Sequence, residues 1–166
     1  MRYNPVPLAL LIITLLLSGC GFQLRGASDL PASISPVHIQ GVAPNSPIGR
    51  ELRQLLLDSQ VAVSADFKQA ASVLRLSDYR SHRRVLSVDN NGKVAEYELH
   101  ESVRFELIEK QSGKQRLTPQ AIGVTRAYIN TEEEVLGKQQ EEAFLRQDMQ
   151  RDLAYRLIRR LQAQLK

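Results

Sequence analysis

The clearest periodicity in the chain lies between Tyr97 and Leu107, where Tyr97, Leu99, Val103, Phe105 and Leu107 alternate with Glu98, His100, Ser102, Arg104 and Glu106. A period of two predicts a strand with one face on a core and the other in water. Residues 71–88 are also strand-like, but Leu74 and Leu76 fall on one parity and Tyr79 and Val85 on the other. That switch predicts a bulge or twist between Leu76 and Val85. Asp89-Asn90-Asn91-Gly92 separates the two runs, and Asn-Gly tolerates the positive φ that a tight hairpin needs. Ser112-Gly113 turns the chain again, and Arg116 to Asn130 returns as a third long strand, completing an antiparallel meander.

Helical spacing appears twice. Ser46 is placed to cap a helix that has Pro47 at its first position and Ile48, Leu52, Leu55 and Leu56 on one face, fading near Ser59. From about Gln139 to Gln164, Leu145, Met149, Leu153, Leu157 and Leu161 step by four, with Ala154, Ile158 and Leu165 beside them. Glu141 and Glu142 near its start and Arg156, Arg159 and Arg160 near its end match the helix macrodipole. With a short strand at Val37-His38-Ile39-Gln40, the order is β-α-β-β-β-α. It predicts an α+β fold: a two-layer sandwich with two helices packed on one face of a four-stranded sheet. The other face must be polar or find another cover. A single domain is expected over residues 37–166, preceded by a leader at 20–36 that contains Pro31 and Pro36.

Residues 1–19 carry a different signal. Arg2 precedes an apolar run from Val6 to Leu17, which as a helix reaches only ~18 Å against a hydrocarbon core of ~30 Å. A short apolar run between a basic residue and small residues reads as a cleavable signal peptide. Leu17-Ser18-Gly19-Cys20 then resembles the lipobox of bacterial lipoproteins, and Cys20 is the only cysteine in the chain. The resemblance implies a diacylglyceryl group on the Cys20 thiol, cleavage before it and acylation of the new amine. Two or more acyl chains hold a protein stably on a membrane. Gly21 stands where the sorting rule for such proteins would need Asp for retention in the inner membrane, so the outer membrane is implied.

With the sole cysteine lipidated, no internal disulfide is expected, and the fold rests on packing. Removing residues 1–19 takes away Arg2 and no acid, so the formal charge of +4 becomes +3. In a cytosolic protein a pI near 9.4 points to nucleic acid. An exported lipoprotein instead meets lipopolysaccharide, the abundant phosphate-bearing polyanion of a Gram-negative envelope, and no nucleic-acid partner is expected.

Catalytic motifs are lacking: there is no phosphate loop, nucleophile elbow or His-Glu-x-x-His. The histidines are His38, His82 and His100, of which the last two would face each other across the hairpin. Two imidazoles fall short of the three or four protein ligands that zinc takes. Neither an enzyme nor a metal or other cofactor is expected. Arg80, Arg83 and Arg84 before the Asn-Gly turn and Lys93 after it make one end of the hairpin basic, with Arg126 and Lys138 in later elements.

Six stretches together resemble the LptE family of lipopolysaccharide-assembly lipoproteins. They are Cys20-Gly21-Phe22-Gln23-Leu24-Arg25, Pro44-Asn45-Ser46-Pro47, Asn91-Gly92-Lys93-Val94-Ala95-Glu96-Tyr97, Arg126-Ala127-Tyr128-Ile129-Asn130, Val135-Leu136-Gly137-Lys138, and the pattern from Met149 to Arg159-Arg160-Leu161. The resemblance implies a small domain with two helices against a four-stranded sheet, lodged as a plug in the outer-membrane barrel LptD, helping that barrel assemble and binding lipopolysaccharide. The family's lipopolysaccharide-binding basic positions fall on Asn90 and Lys138. Lys138 keeps its charge and Asn90 does not, so Lys93, Arg83 or Arg84 would substitute at that tip. The competing reading is a freestanding envelope lipoprotein that binds another transporter subunit or peptidoglycan.

Overall fold

The computed structural model describes residues 30–130 and 135–165; Cys20 and the acidic run Glu132–Glu134 lie outside the described residues. A short 3-10 turn at Ala32–Ile34 leads into β1 (Val37–Gln40), then α1 (Pro47–Asp58) and a second 3-10 turn at Phe67–Gln69. Three long strands follow, β2 (Ser72–Val88), β3 (Val94–Glu109) and β4 (Gln115–Ile129), and the chain closes with α2 (Val135–Gln164).

The start of α1 follows from its sequence. Ser46 is extended, and its Oγ accepts a hydrogen bond from the Gly49 N–H at 3.1 Å. Pro47 then occupies a position where a missing N–H costs nothing. Because α1 lies between β1 and β2, these two strands pair in parallel, Val37 opposite Ser72 and Gln40 opposite Arg75. The remaining pairs are antiparallel, in the order β1-β2-β3-β4. Gly41, which leaves β1 at φ 93°, could carry no side chain: a Cβ there would lie 1.9 Å from the Leu76 carbonyl oxygen.

The expected bulge is present. The β2–β3 register shifts between Ser77 and Arg80, where Asp78 takes φ 49°. One extra residue returns Tyr79, Ser81 and Arg83 to the face that Leu74 and Leu76 occupy, although their parity differs. The hairpin turn closes through Gly92 at φ 77°, with the Asp89 N–H donating to the Lys93 carbonyl at 2.7 Å. The Asp89 carboxylate accepts from the Asn91 and Lys93 N–H groups at 2.9 and 2.8 Å.

Both helices pack on one sheet face. Ile48, Leu52 and Leu56 of α1 and Met149, Leu153, Leu157 and Leu161 of α2 are buried with Leu74, Leu99, Phe105 and Leu107 of the sheet. Leu30 and Ile34 join this core, which therefore takes in the last residues of the stretch read as leader; two prolines there hide any periodicity. The other sheet face is mostly polar, bearing the pairs Arg75–Glu106, Arg84–Glu98 and Arg104–Asp78, with Ile129 exposed on it opposite Glu96. It needs no second layer for that reason. In one respect the expectation falls short: α2 begins at Val135, four residues before Gln139. Gly137 costs a helix interior about 1 kcal/mol, which argues for a later start, but the long packed helix carries it.

Candidate functional site

The basic end of the hairpin is built by β2 and β3 beyond the bulge. Asn90 is exposed in the turn, and Lys93 is exposed just after it. Arg83 and Arg84 do not join one cationic tip. They lie on opposite faces, because successive strand residues do. Arg84 sits across from Glu98 on the helix-free face and pairs with its carboxylate, holding Glu98 below the usual carboxylate range. Arg83 lies opposite Leu99 on the helix side. Its guanidinium stacks 4.2 Å from the centroid of the Tyr97 ring and donates to Glu142 Oε2 of α2 at 2.8 Å. Arg126, on β4, turns to α2 as well, reaching Asp148 at 3.1 Å and Asp152 at 2.6 Å.

These contacts decide where the first turns of α2 lie. Glu142 accepts from Arg83, from the Tyr128 hydroxyl at 2.8 Å, and from Arg146 at 2.7 Å. Burial raises the Glu142 pKa, but the hydrogen bonds from Tyr128, Arg146 and Arg83 outweigh it and hold the carboxyl below its ordinary range. Lys138 is one helical turn before Glu142, so its backbone stands at the hairpin end of the molecule. The structure thus brings the start of α2 and the distal hairpin to one end, while dividing Arg83 from Arg84.

Behind this end is a buried group that the alternation of β3 passed over. Glu101 occupies an inward position between Leu99 and Val103 and is fully buried. It accepts from the Tyr79 hydroxyl, from Ser81 Oγ at 2.7 Å and from Arg146 Nη1 at 2.8 Å. Burial, and then the neighbouring carboxylate, pushes the Tyr79 phenol well above its ordinary value, so it stays a donor. The signal was available: a Glu on the apolar parity of an otherwise regular strand marks a carboxylate that must be paired inside.

His82 and His100 do face each other across β2 and β3, with ring centroids 4.8 Å apart, on the helix-free face. His100 Nδ1 lies 3.1 Å from Thr125 Oγ1. Among the described residues no group of three or more His, Cys, Asp or Glu side chains converges as a metal site, and no helix is long and apolar enough to cross a membrane.

Comparison with known proteins gives a consistent set of likenesses. The sequence model of one family, LptE (lipopolysaccharide-assembly), matches residues 34–161. The chain is 31% identical over 161 residues to the LPS-assembly lipoprotein LptE of Photorhabdus laumondii, covering 97% of this chain and 87% of that protein. It is 28% identical over 162 residues to the protein of the same name from Pectobacterium atrosepticum, covering 97% of this chain and 86% of that one. Among solved structures, a minor lipoprotein from Acinetobacter baumannii superposes with a TM-score of 0.67 at 26% identity, over 80% of this chain and 94% of that chain. Lipoprotein B from Nitrosomonas europaea gives a TM-score of 0.69 at 27% identity, over 86% and 91%.

Proposed function

The chain belongs to the LptE family of lipopolysaccharide-assembly lipoproteins, and from that premise we propose that it is an outer-membrane lipoprotein, anchored through Cys20, that plugs the LptD barrel, helps it assemble and binds lipopolysaccharide through its hairpin end. No bond is made or broken in this role. The binding residues are Lys138 at the start of α2, Asn90 and Lys93 at the turn, and Arg83 and Arg84 on the two faces of β2 behind it. The observation that carries the assignment is the Arg83–Glu142 ion pair, which holds the first turns of α2 against the distal hairpin. The backbone at Lys138, 45 residues beyond Lys93 in sequence, thereby stands at the hairpin end of the molecule. Arg83 and Arg84 each hold a carboxylate already, so they contribute at the rim of the cluster.

Lysine and arginine bind phosphates by charge-assisted hydrogen bonds. Such a cluster competes for lipid A phosphates otherwise bridged by divalent cations and so loosens lipopolysaccharide aggregates. The polar helix-free face supports the plug reading, since a barrel lumen presents polar side chains to its contents.

The test has two arms. A tag after Lys166 and extraction in mild detergent are expected to bring down a stoichiometric large barrel whose gel mobility changes on heating. Recovery of the correctly lipidated protein alone would favour a freestanding lipoprotein. In the second arm, Lys138→Glu, alone and with Lys93→Glu, is expected to weaken lipopolysaccharide binding about tenfold or more, as loss of a charged hydrogen bond does. Unchanged affinity in both folded variants overturns the assignment.

A further inference from the structure

The C-terminal half of α2 runs antiparallel to β4, and a groove of about 590 Å³ opens between them. It is closed at one end by a reciprocal amide pair, Gln120 donating to Gln164 at 2.6 Å and Gln164 donating back at 3.3 Å. At the other end Arg156 Nη1 reaches across to the Gly123 carbonyl at 3.2 Å. Its walls hold Arg156, Arg159 and Arg160 with Ala121, Ile122 and Gly123 of β4, and among the described residues no carboxylate.

Spaced three and four residues apart, these arginines share one helix face, where like charges repel. Earlier in the same helix Arg146 pairs with Glu101 and Glu142, and Asp148 and Asp152 pair with Arg126 of β4. Among the described residues Arg156, Arg159 and Arg160 take part in no ion pair. The macrodipole favours cations near a helix C-terminus, which accounts for their sign but not for their convergence on one groove where no described residue is acidic.

We propose that this groove is a phosphate-binding site, separate from the hairpin end and about 25 Å from it along β3 at ~3.3 Å per residue. Guanidinium forks match phosphate oxygens two at a time. The ligand is a terminal phosphate group, either free phosphate or a monoester borne on a sugar, for whose hydroxyls the open edge of β4 offers backbone partners.

The experiment follows backbone amide shifts of Gly123, Ala163 and Gln164 in the full-length lipoprotein in detergent micelles. Inorganic phosphate, glucose 1-phosphate, glucose and sodium chloride are titrated at matched ionic strength. Saturable shifts with both phosphates, and none with glucose or chloride, are expected. Arg159→Gln with Arg160→Gln, both exposed, should raise Kd about tenfold or more. Tighter binding of glucose 1-phosphate would identify a phosphorylated saccharide as the ligand, and equal binding would identify phosphate alone. Shifts that chloride reproduces, or that survive the double substitution, overturn the proposal.

Discussion

Glu101 shows how much a single position can depend on its partners. A carboxylate removed from water is costly unless it is paired and its oxygens accept hydrogen bonds, and here Tyr79, Ser81 and Arg146 supply them. Removing Arg146 strands the charge. Arg146→Ala should therefore destabilise the fold by about 2–3 kcal/mol, below the full range for buried pairs because the Arg146 side chain keeps 23% of its exposure. Urea unfolding measures it. Glu101→Leu combined with Arg146→Met should cost clearly less than the sum of the single changes, since hydrophobic replacement of a buried pair is often neutral. Equal additivity would mean the pair is not coupled.

At the scale of elements, α2 is two helices in one. Its C-terminal half is held by apolar burial through Met149, Leu153, Leu157 and Leu161, all fully buried. Its N-terminal half is held by Glu142, Arg146 and the Arg126–Asp148 contact, which Asp152 extends just past the midpoint. Acid should loosen the two halves differently. Glu142 has a folded pKa below its ordinary value, so its stabilisation is fully present above about pH 4.5 and is lost as pH falls through the folded pKa. Glu142→Gln is expected to lower the thermal midpoint at pH 7, with the difference from the parent shrinking below about pH 4.5. Amide exchange should place the effect in residues 140–148. A difference that persists unchanged in acid would show that the carboxylate's charge is not what matters.

Seen whole, the molecule has two ends. Leu30 and Ile34 pack beside β1, with Ser33 accepting from Arg116 at 3.2 Å, at the end opposite the Asn90-Asn91-Gly92 turn. β2 and β3 span the distance between them, about 50 Å at ~3.3 Å per residue. The first described residues are therefore remote from the hairpin end. Cys20→Ser should abolish labelling by palmitate and release the protein from membranes, measured by fractionation. Retained labelling would place the acyl chains elsewhere.

What could be read along the chain was whatever depends on near neighbours. The Ser46 cap, the Asn91-Gly92 turn, the alternation of β3, the four-residue steps of α2 and the bulge implied by the parity of Leu76 and Tyr79 all follow from backbone periods and local hydrogen bonding. So did the α+β layering, because two amphipathic helices and a one-sided sheet have few ways to bury their apolar faces. The family resemblance rested on the same local stretches. Pairing between distant charges was not legible. That Arg83 turns to Glu142 while Arg84 turns to Glu98, that Glu101 is neutralised from α2, and that three arginines line one groove beside β4 depend on how α2 lies against the sheet. Sequence spacing carries no record of that contact, since charged side chains tolerate many positions until a tertiary neighbour and the cost of burying an unpaired charge select one.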